Sequence, residues 1–202
     1  MKKIGLTAEA FNEIQRIAKV IKPDRYEIRK EFNEIQVRQA TDKKIEFWIC
    51  DKYAVACVAV DDRRDDHLRE IEFISGEIPR IDIKAKKDSV VTLEFDPLMV
   101  RIAFTTANGI SFDQIFPNDI YRYCFKDLYE KTFKQFAGEI TTMIIKNSEL
   151  QKVAKVFTAK EMFSMTLDET GIIYKSYKST NGISKQVGIL RTMYERRETW
   201  KR

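Results

Sequence analysis

The sequence predicts an α+β fold built by repetition, in which one helix packs on an antiparallel β-meander and the unit recurs. Three observations predict it. First, "TTANGISFDQIF" from Thr105 and "KSTNGISKQVGIL" from Lys178 each set Asn-Gly between alternating apolar runs. That is the strongest short-range hairpin signal, because a type I′ turn needs φ > 0 at both central residues. Second, each hairpin follows another turn at nearly the same distance: Asp96 to Asn108 is twelve residues and Asp168 to Asn181 is thirteen. Third, an amphipathic helix precedes the first and the last of the strand-rich stretches, so helix, capping and both turns recur together.

The elements follow in chain order. Thr7 is the expected N-cap of "AEAFNEIQRIAKVI", a helix over 7–21 whose Phe11, Ile14, Ala18 and Ile21 recur at helical spacing and form one apolar stripe. From Arg25 to Val60 the chain alternates with a period of two, with turns expected at "FNE" and "TDKK". "VTLEFDPLMVRIAFTTANGISFDQIF" reads as a second meander whose first turn is Asp96-Pro97. The segment before it, "IPRIDIKAKK", carries Pro79 and a strand-like alternation, so no helix is expected there. Ser148 with Gln151 suggests a capping box for a helix over 148–157, with Leu150, Val153, Ala154 and Phe157 facing inward. A third meander then starts at Ser164, with Asp168 to Gly171 as its first turn.

Composition sets outer bounds. At 202 residues, 44% apolar and 11% aromatic, the chain is long enough for one large or two small domains with a real core. The net charge of +5 permits an acidic partner such as nucleic acid without demanding one. The tail "RTMYERRETWKR" holds five Arg or Lys against two Glu and so carries much of that excess. Cys50, Cys57 and Cys124 show no C-x-x-C spacing and His67 is the only histidine, so a zinc site of the usual ligands is not expected. The cysteines read as small buried hydrophobes in a reducing compartment. With no signal-length apolar run and no run of membrane-spanning length, a cytoplasmic protein with no membrane partner is expected.

Several residue groups invite a chemical reading. Asp61 to Glu72 carries six acids against three arginines, which reads as a solvated inter-strand loop or, through its Asp pairs, a metal site. Tyr121, Tyr123, Phe125, Tyr129, Phe133 and Phe136 crowd one connector; Tyr129, Phe133 and Phe136 at helical spacing cover core or form a partner interface. No Gly-rich phosphate loop occurs and no nucleophile–base pair is evident around Asp51, so an enzyme is the least supported class and no cofactor is expected.

Three segments resemble the ring-shaped DNA sliding clamps, the bacterial polymerase processivity clamp in particular. "WICDKYAVACVAV" from Trp48 resembles the family's T-D-G-[HY]-R-L-A hairpin, with Asp51, Tyr53 and Ala56 in register and Cys50, Lys52 and Ala54 departing from it. "FDQIFPNDIYRY" is similar to the G-x-F-P-D-Y that closes a domain, and the run from Ile144 to Ile189 is similar to the opening half of the next domain. The resemblance implies a clamp-like domain over 1–120. It further implies a connector with a partial second clamp-like domain and a basic tail over 121–202.

In function, the resemblance implies a sliding-clamp-like processivity or tethering factor that holds duplex DNA without reading its sequence, as a homo-oligomer, and meets DNA polymerase or other replication proteins. The alternative is a clamp-fold binding module for replication or repair proteins that forms no ring. The degenerate motifs suit a phage or mobile-element version of either. In the family, helices present Lys and Arg to phosphates. The matching candidates are Arg16, Lys19 and Lys22 from the first helix and Lys152, Lys155 and, just past its end, Lys160 from the later one. Basic residues in a last turn also complement the helix dipole, and that reading stands beside the first. Arg196, Arg197 and Lys201 of the tail are further candidate contacts, with Trp200 placed to stack on an exposed base.

Overall fold

The computed structural model describes residues 2–22, 30–39, 44–51, 53–61, 75–118, 124–133, 147–157, 161–168, 171–176 and 182–190. Strand β1 (Lys2–Thr7) runs into helix α1 (Ala8–Val20), capped by Thr7, whose hydroxyl oxygen accepts from the Ala10 amide at 3.2 Å. Phe11, Ile14, Ala18 and Ile21 are all fully buried, as the apolar stripe requires. A 3-10 turn at Lys30–Asn33 leads into the first meander, β2 (Glu34–Gln39), β3 (Lys44–Cys50) and β4 (Ala54–Asp61). "FNE" therefore enters a strand instead of separating two, because the 3-10 turn packs Phe32 inward and points the chain along β2. The expected turn at "TDKK" falls almost wholly outside the described residues.

Strand β5 (Ser75–Pro79) is followed by ten residues without helix, then by the second meander: β6 (Val90–Phe95), β7 (Met99–Thr106) and β8 (Gly109–Pro117). Helix α2 (Phe125–Phe133) and helix α3 (Asn147–Val156) precede the third meander, β9 (Phe163–Asp168), β10 (Gly171–Ser176) and β11 (Ile183–Leu190).

Two antiparallel sheets result, one in the order β1-β6-β7-β8 and one in the order β5-β2-β3-β4-β11-β10-β9. The first two units exchange their leading strands. β1 borders the second meander through Ile4↔Leu93, and β5 borders the first through Ile35↔Ile78. The third meander joins the first by its last strand, β11, which pairs with β4 from Ile183↔Val60 to Ile189↔Ala54. Directly paired residues share a face, so Phe47, Val58, Val60, Ile183 and Val187 enter one core with α1, α3 and the inner face of the smaller sheet. On the opposite face of the larger sheet, α2 covers a second cluster in which Phe125 meets Phe32 and Tyr129 meets Trp48, with Cys50, Cys57 and Ile173 below. Tyr129 thus packs outside the main core; Phe136 and the Phe133 side chain lie outside the described residues, as do Tyr121 and Tyr123.

Turn chemistry follows the sequence with one displacement. At the Asp96-Pro97 turn the Asp96 amide donates to the Met99 carbonyl at 2.8 Å, and Asp96 Oδ1 accepts from the Leu98 amide at 3.1 Å. In the next hairpin Thr106 pairs with Gly109, so Ala107 and Asn108 are its central residues and Gly109 follows with φ +110°. The turn is thus displaced by one position from the expected Asn-Gly centre, and the register shift at Phe104/Thr105 leaves Ser111 as the extra residue of a β-bulge two positions beyond the glycine. Gly182 takes φ +74° at the start of the second copy, where Asn181 lies outside the described residues.

α3 is rotated from the expected face. Glu149, Val153 and Val156 point inward with Phe157, whereas Leu150 and Ala154 are exposed. Ser148 lies within the first turn and its hydroxyl bonds Glu149 instead of forming a capping box. The contact that ties this face to the sheet is the bond from Lys152 of α3 to Asp51 just past β3, at 2.6 Å, and Glu149 meets the same ammonium from within the helix at 2.6 Å.

The guanidinium of Arg80 fastens the end of α1. It donates to the carbonyls of Ala18 and Ile21, to Phe32 at 2.6 Å and to Cys50 at 3.3 Å, closing orphan acceptors of a helix terminus. Burial lowers its pKa to about 10, so it stays charged at neutral pH. Replacing Arg80 with Leu should lower stability by about 3 kcal/mol, since several buried acceptors lose a charged donor. Lys should restore little of this, because one ammonium cannot span carbonyls from three segments. Urea unfolding midpoints of Arg80→Leu and Arg80→Lys check both expectations.

Candidate nucleic-acid interface

α1 and α3 lie side by side, and a network of charges joins them to β11. Lys185, only 4% exposed, occupies an inward position of β11 between Ile183 and Val187. Its ammonium donates to Glu13 at 2.7 Å, to Glu161 at 2.8 Å and to the Val156 carbonyl at 3.1 Å, and it lies 5.9 Å from the centre of the Phe157 ring. Arg16 donates to both oxygens of Glu13 at 2.7 Å, to the Val156 carbonyl at 2.7 Å and to the Lys155 carbonyl. Burial works against the Glu13 charge, but the bonds from Arg16 and Lys185 outweigh it and hold its pKa below the ordinary carboxylate value.

A second network fixes α3 to the first meander. Asp51 Oδ1 accepts from the amides of Tyr53 and Ala54 at 2.8 Å, shaping the β3–β4 turn, and Oδ2 accepts from Lys152 at 2.6 Å. Burial opposes the Lys152 charge, yet its bonds to Asp51 and Glu149 raise its pKa above the usual lysine value. The Asp51 matched in the hairpin motif is thus a turn former and a helix anchor.

These contacts sort the candidate cations. Lys152 is committed to two carboxylates, and Arg16 to Glu13 and two helix-end carbonyls, so neither presents an open cation to a phosphate. Lys19, Lys22 and Lys155 are exposed around the last turns of the two helices, with Lys19 bonded to the solvent-facing Asp82. Lys160 and the tail residues Arg196, Arg197 and Lys201 lie outside the described residues, as does the acidic stretch beyond Asp61. Arg16, Arg80 and Lys185 bond terminal carbonyls of these helix ends, and Lys19 and Lys155 stand in the same last turns, where their charge also complements the dipole.

Sequence reasoning missed Glu13, Arg80 and Lys185. Only Lys185 left a signal, a lysine in an apolar slot of the alternation Ile183-Lys185-Val187-Ile189. Among the described residues no group of His, Cys, Asp and Glu could hold a metal ion, and no helix is long and apolar enough to cross a membrane.

No family model matches this sequence, and no curated protein does. Solved structures do. DNA polymerase III subunit beta from Pseudomonas aeruginosa superposes with a TM-score of 0.65 at 7% identity, over 96% of this chain and 66% of that one. The A. fulgidus PCNA bound to the C-terminal region of FEN-1 gives 0.61 at 12% identity, over 96% and 99%. This chain has the DNA sliding-clamp fold. The Helicobacter pylori beta clamp bound to a DNA ligase peptide gives 0.58 at 12% identity, over 96% and 66%. The clamp fold here spans about two thirds of the bacterial subunits' length, against nearly all of the archaeal one.

A depressed carboxyl pKa contributes stability above the unfolded value and loses it as pH falls through the folded one. Glu13→Gln should therefore destabilise the protein by about 2 kcal/mol at neutral pH and flatten its decline on acidification to about pH 3. Urea unfolding of both proteins across that range measures the difference.

Proposed function

We propose that the protein is a non-enzymatic, clamp-like DNA-tethering factor that supports processive work by replication proteins and holds duplex DNA as a homo-oligomer without reading its sequence. One observation carries this reading: the terminal carbonyls of α1 and α3 are bonded by Arg16, Arg80 and Lys185, which leaves Lys19, Lys22 and Lys155 on the solvent side of those ends. Lysines with no structural carbonyl to serve are suited to phosphates, which attract them regardless of base sequence. Partner proteins enter by analogy of fold, since clamps of this fold bind the C-terminal region of FEN-1 and a DNA ligase peptide.

A second reading, a clamp-fold binding module for replication or repair proteins, is favoured by the free outer edge of β9 among the described residues, where Phe163 and Met165 are exposed. An open edge of that kind accepts an added strand.

Lys19→Glu, Lys22→Glu and Lys155→Glu combined should weaken duplex binding at low salt and reduce the slope of log affinity against log salt by about one unit per lost contact. Deleting 191–202 should leave that slope difference intact, separating the helices from the tail. Affinity equal to the parent's at every salt concentration would remove these lysines from the site. We expect equal loss from circular and linear DNA in gel filtration, as for an open tether; retention on circles alone would identify an encircling ring.

A further inference from the structure

The first two meanders share a rule of completion. Each is preceded by a strand that it does not keep: β1 stands before the first and pairs with β6 of the second, while β5 stands before the second and pairs with β2 of the first. The opening strands that receive these partners have closed core faces. Ile35 and Val37 of β2 and Val91 and Leu93 of β6 are fully buried, with Ile78 of β5 opposite Ile35, Leu6 of β1 opposite Val91 and Ile4 opposite Leu93.

The third meander departs from the rule. Its opening strand, β9, has no partner on its outer edge among the described residues. Phe163 and Met165 pair with Ser176 and Tyr174, which places them on the core side of the sheet, and the Phe163 ring lies 4.9 Å from that of the core residue Phe157. They are nevertheless 45% and 57% exposed. This is core surface without a cover. The edge also lacks the devices that keep a strand unpaired, since FSMTLD holds no proline, lysine or arginine.

The sequence immediately before α3 has the composition to supply the cover. Residues 139–146, EITTMIIK, adjoin α3 as Lys2–Thr7 adjoins α1, and five of these eight residues are β-branched. Counted back from the first helical residue, Met143 and Ile145 match Ile4 and Leu6, the residues of β1 that close the core face of β6.

We propose that two copies of the chain complete each other's third meander about a two-fold axis, residues 139–146 of each pairing antiparallel with β9 of the other. The occupant follows from the rule. A preceding strand in this chain never completes its own meander, and β2 and β6 already hold β5 and β1, so only a second copy offers a β9. Reciprocal exchange of this kind is isologous and closes at two copies. Met143 of one copy lies opposite Met165 of the other, and Ile145 opposite Phe163, which covers the exposed core face. The joint rests on the homo-oligomeric part of the proposed function and gives that part a specific contact.

The test is a disulfide in the full chain carrying Met143→Cys and Met165→Cys in a Cys124→Ser background, since side chains directly opposite on paired strands are near enough to bridge. Mild oxidation should yield a covalent dimer on a denaturing gel, and either new cysteine alone should yield a single chain. Light scattering of the parent over a range of concentrations should give a dimer. Met165→Asp, at a position exposed in a single copy, should weaken its association at least tenfold with an unchanged circular dichroism spectrum. A disulfide within one chain would put residues 139–146 on their own β9, and no disulfide at all would leave β9 to a strand of another protein; either overturns the exchange. Oligomers indifferent to Met165→Asp would overturn this joint and leave the homo-oligomeric reading standing, whereas a parent that stays monomeric at high concentration would overturn both.

Discussion

The antiparallel joint between β4 and β11 is the constraint from which the rest of the molecule follows. It makes one seven-stranded sheet from two meanders far apart in sequence, and it brings α3 beside α1. Backbone bonding cannot choose that partner, because any free edge offers the same donors and acceptors. Selection comes from the buried charges above the joint. Lys185 enters the core from β11, and burying an ammonium is costly unless carboxylates meet it. Glu13 from α1 and Glu161 from the start of the third meander do so, and the Val156 carbonyl takes its remaining reach. A shift of one residue along β4 would flip Lys185 or its neighbours to the wrong face and strand the charge.

The same charges explain how the surface at the helix ends acquires its character. Helix C-termini expose unpaired carbonyls and a partial negative charge, which would repel a phosphate. Here Arg16, Arg80 and Lys185 bond those carbonyls from beneath. Structural and outward-facing cations alternate along α1, with Arg16 turned to α3 and Lys19 one turn later at the surface. A count of basic residues on the helices does not separate these roles, whereas their hydrogen-bond partners do.

The exchange of β1 and β5 between the first two meanders has a separate consequence. Each unit is completed by a strand of the other, so neither has an independent core, and the apolar faces of both sheets close on α1. The third meander lacks such an exchange partner among the described residues and is held by its last strand and by α3. Its leading strand, β9, accordingly keeps Phe163 and Met165 exposed. α2 compensates on the other face, where Phe125 and Tyr129 cover Trp48 and Ile173 across the joint.

The sequence by itself determined the local elements: the Thr7 cap and the stripe from Phe11 to Ile21, the Asp96-Pro97 turn, and the succession of helices and antiparallel strands. These are legible because they depend on residues within a turn or two of one another, where periodicity and turn chemistry act. Tertiary structure decided which edges meet, which face of α3 turns inward and which cations remain exposed. Leu150 has the right spacing for core and is exposed, while the same helix is tied to the sheet through Lys152, which bonds the turn residue Asp51, about a hundred residues away in sequence. Lys152 reads as a surface cation and is a half-buried anchor held between Asp51 and Glu149. Charge partners separated this widely leave no local pattern, since the energy that pairs them arises only when the chain has brought them out of water together.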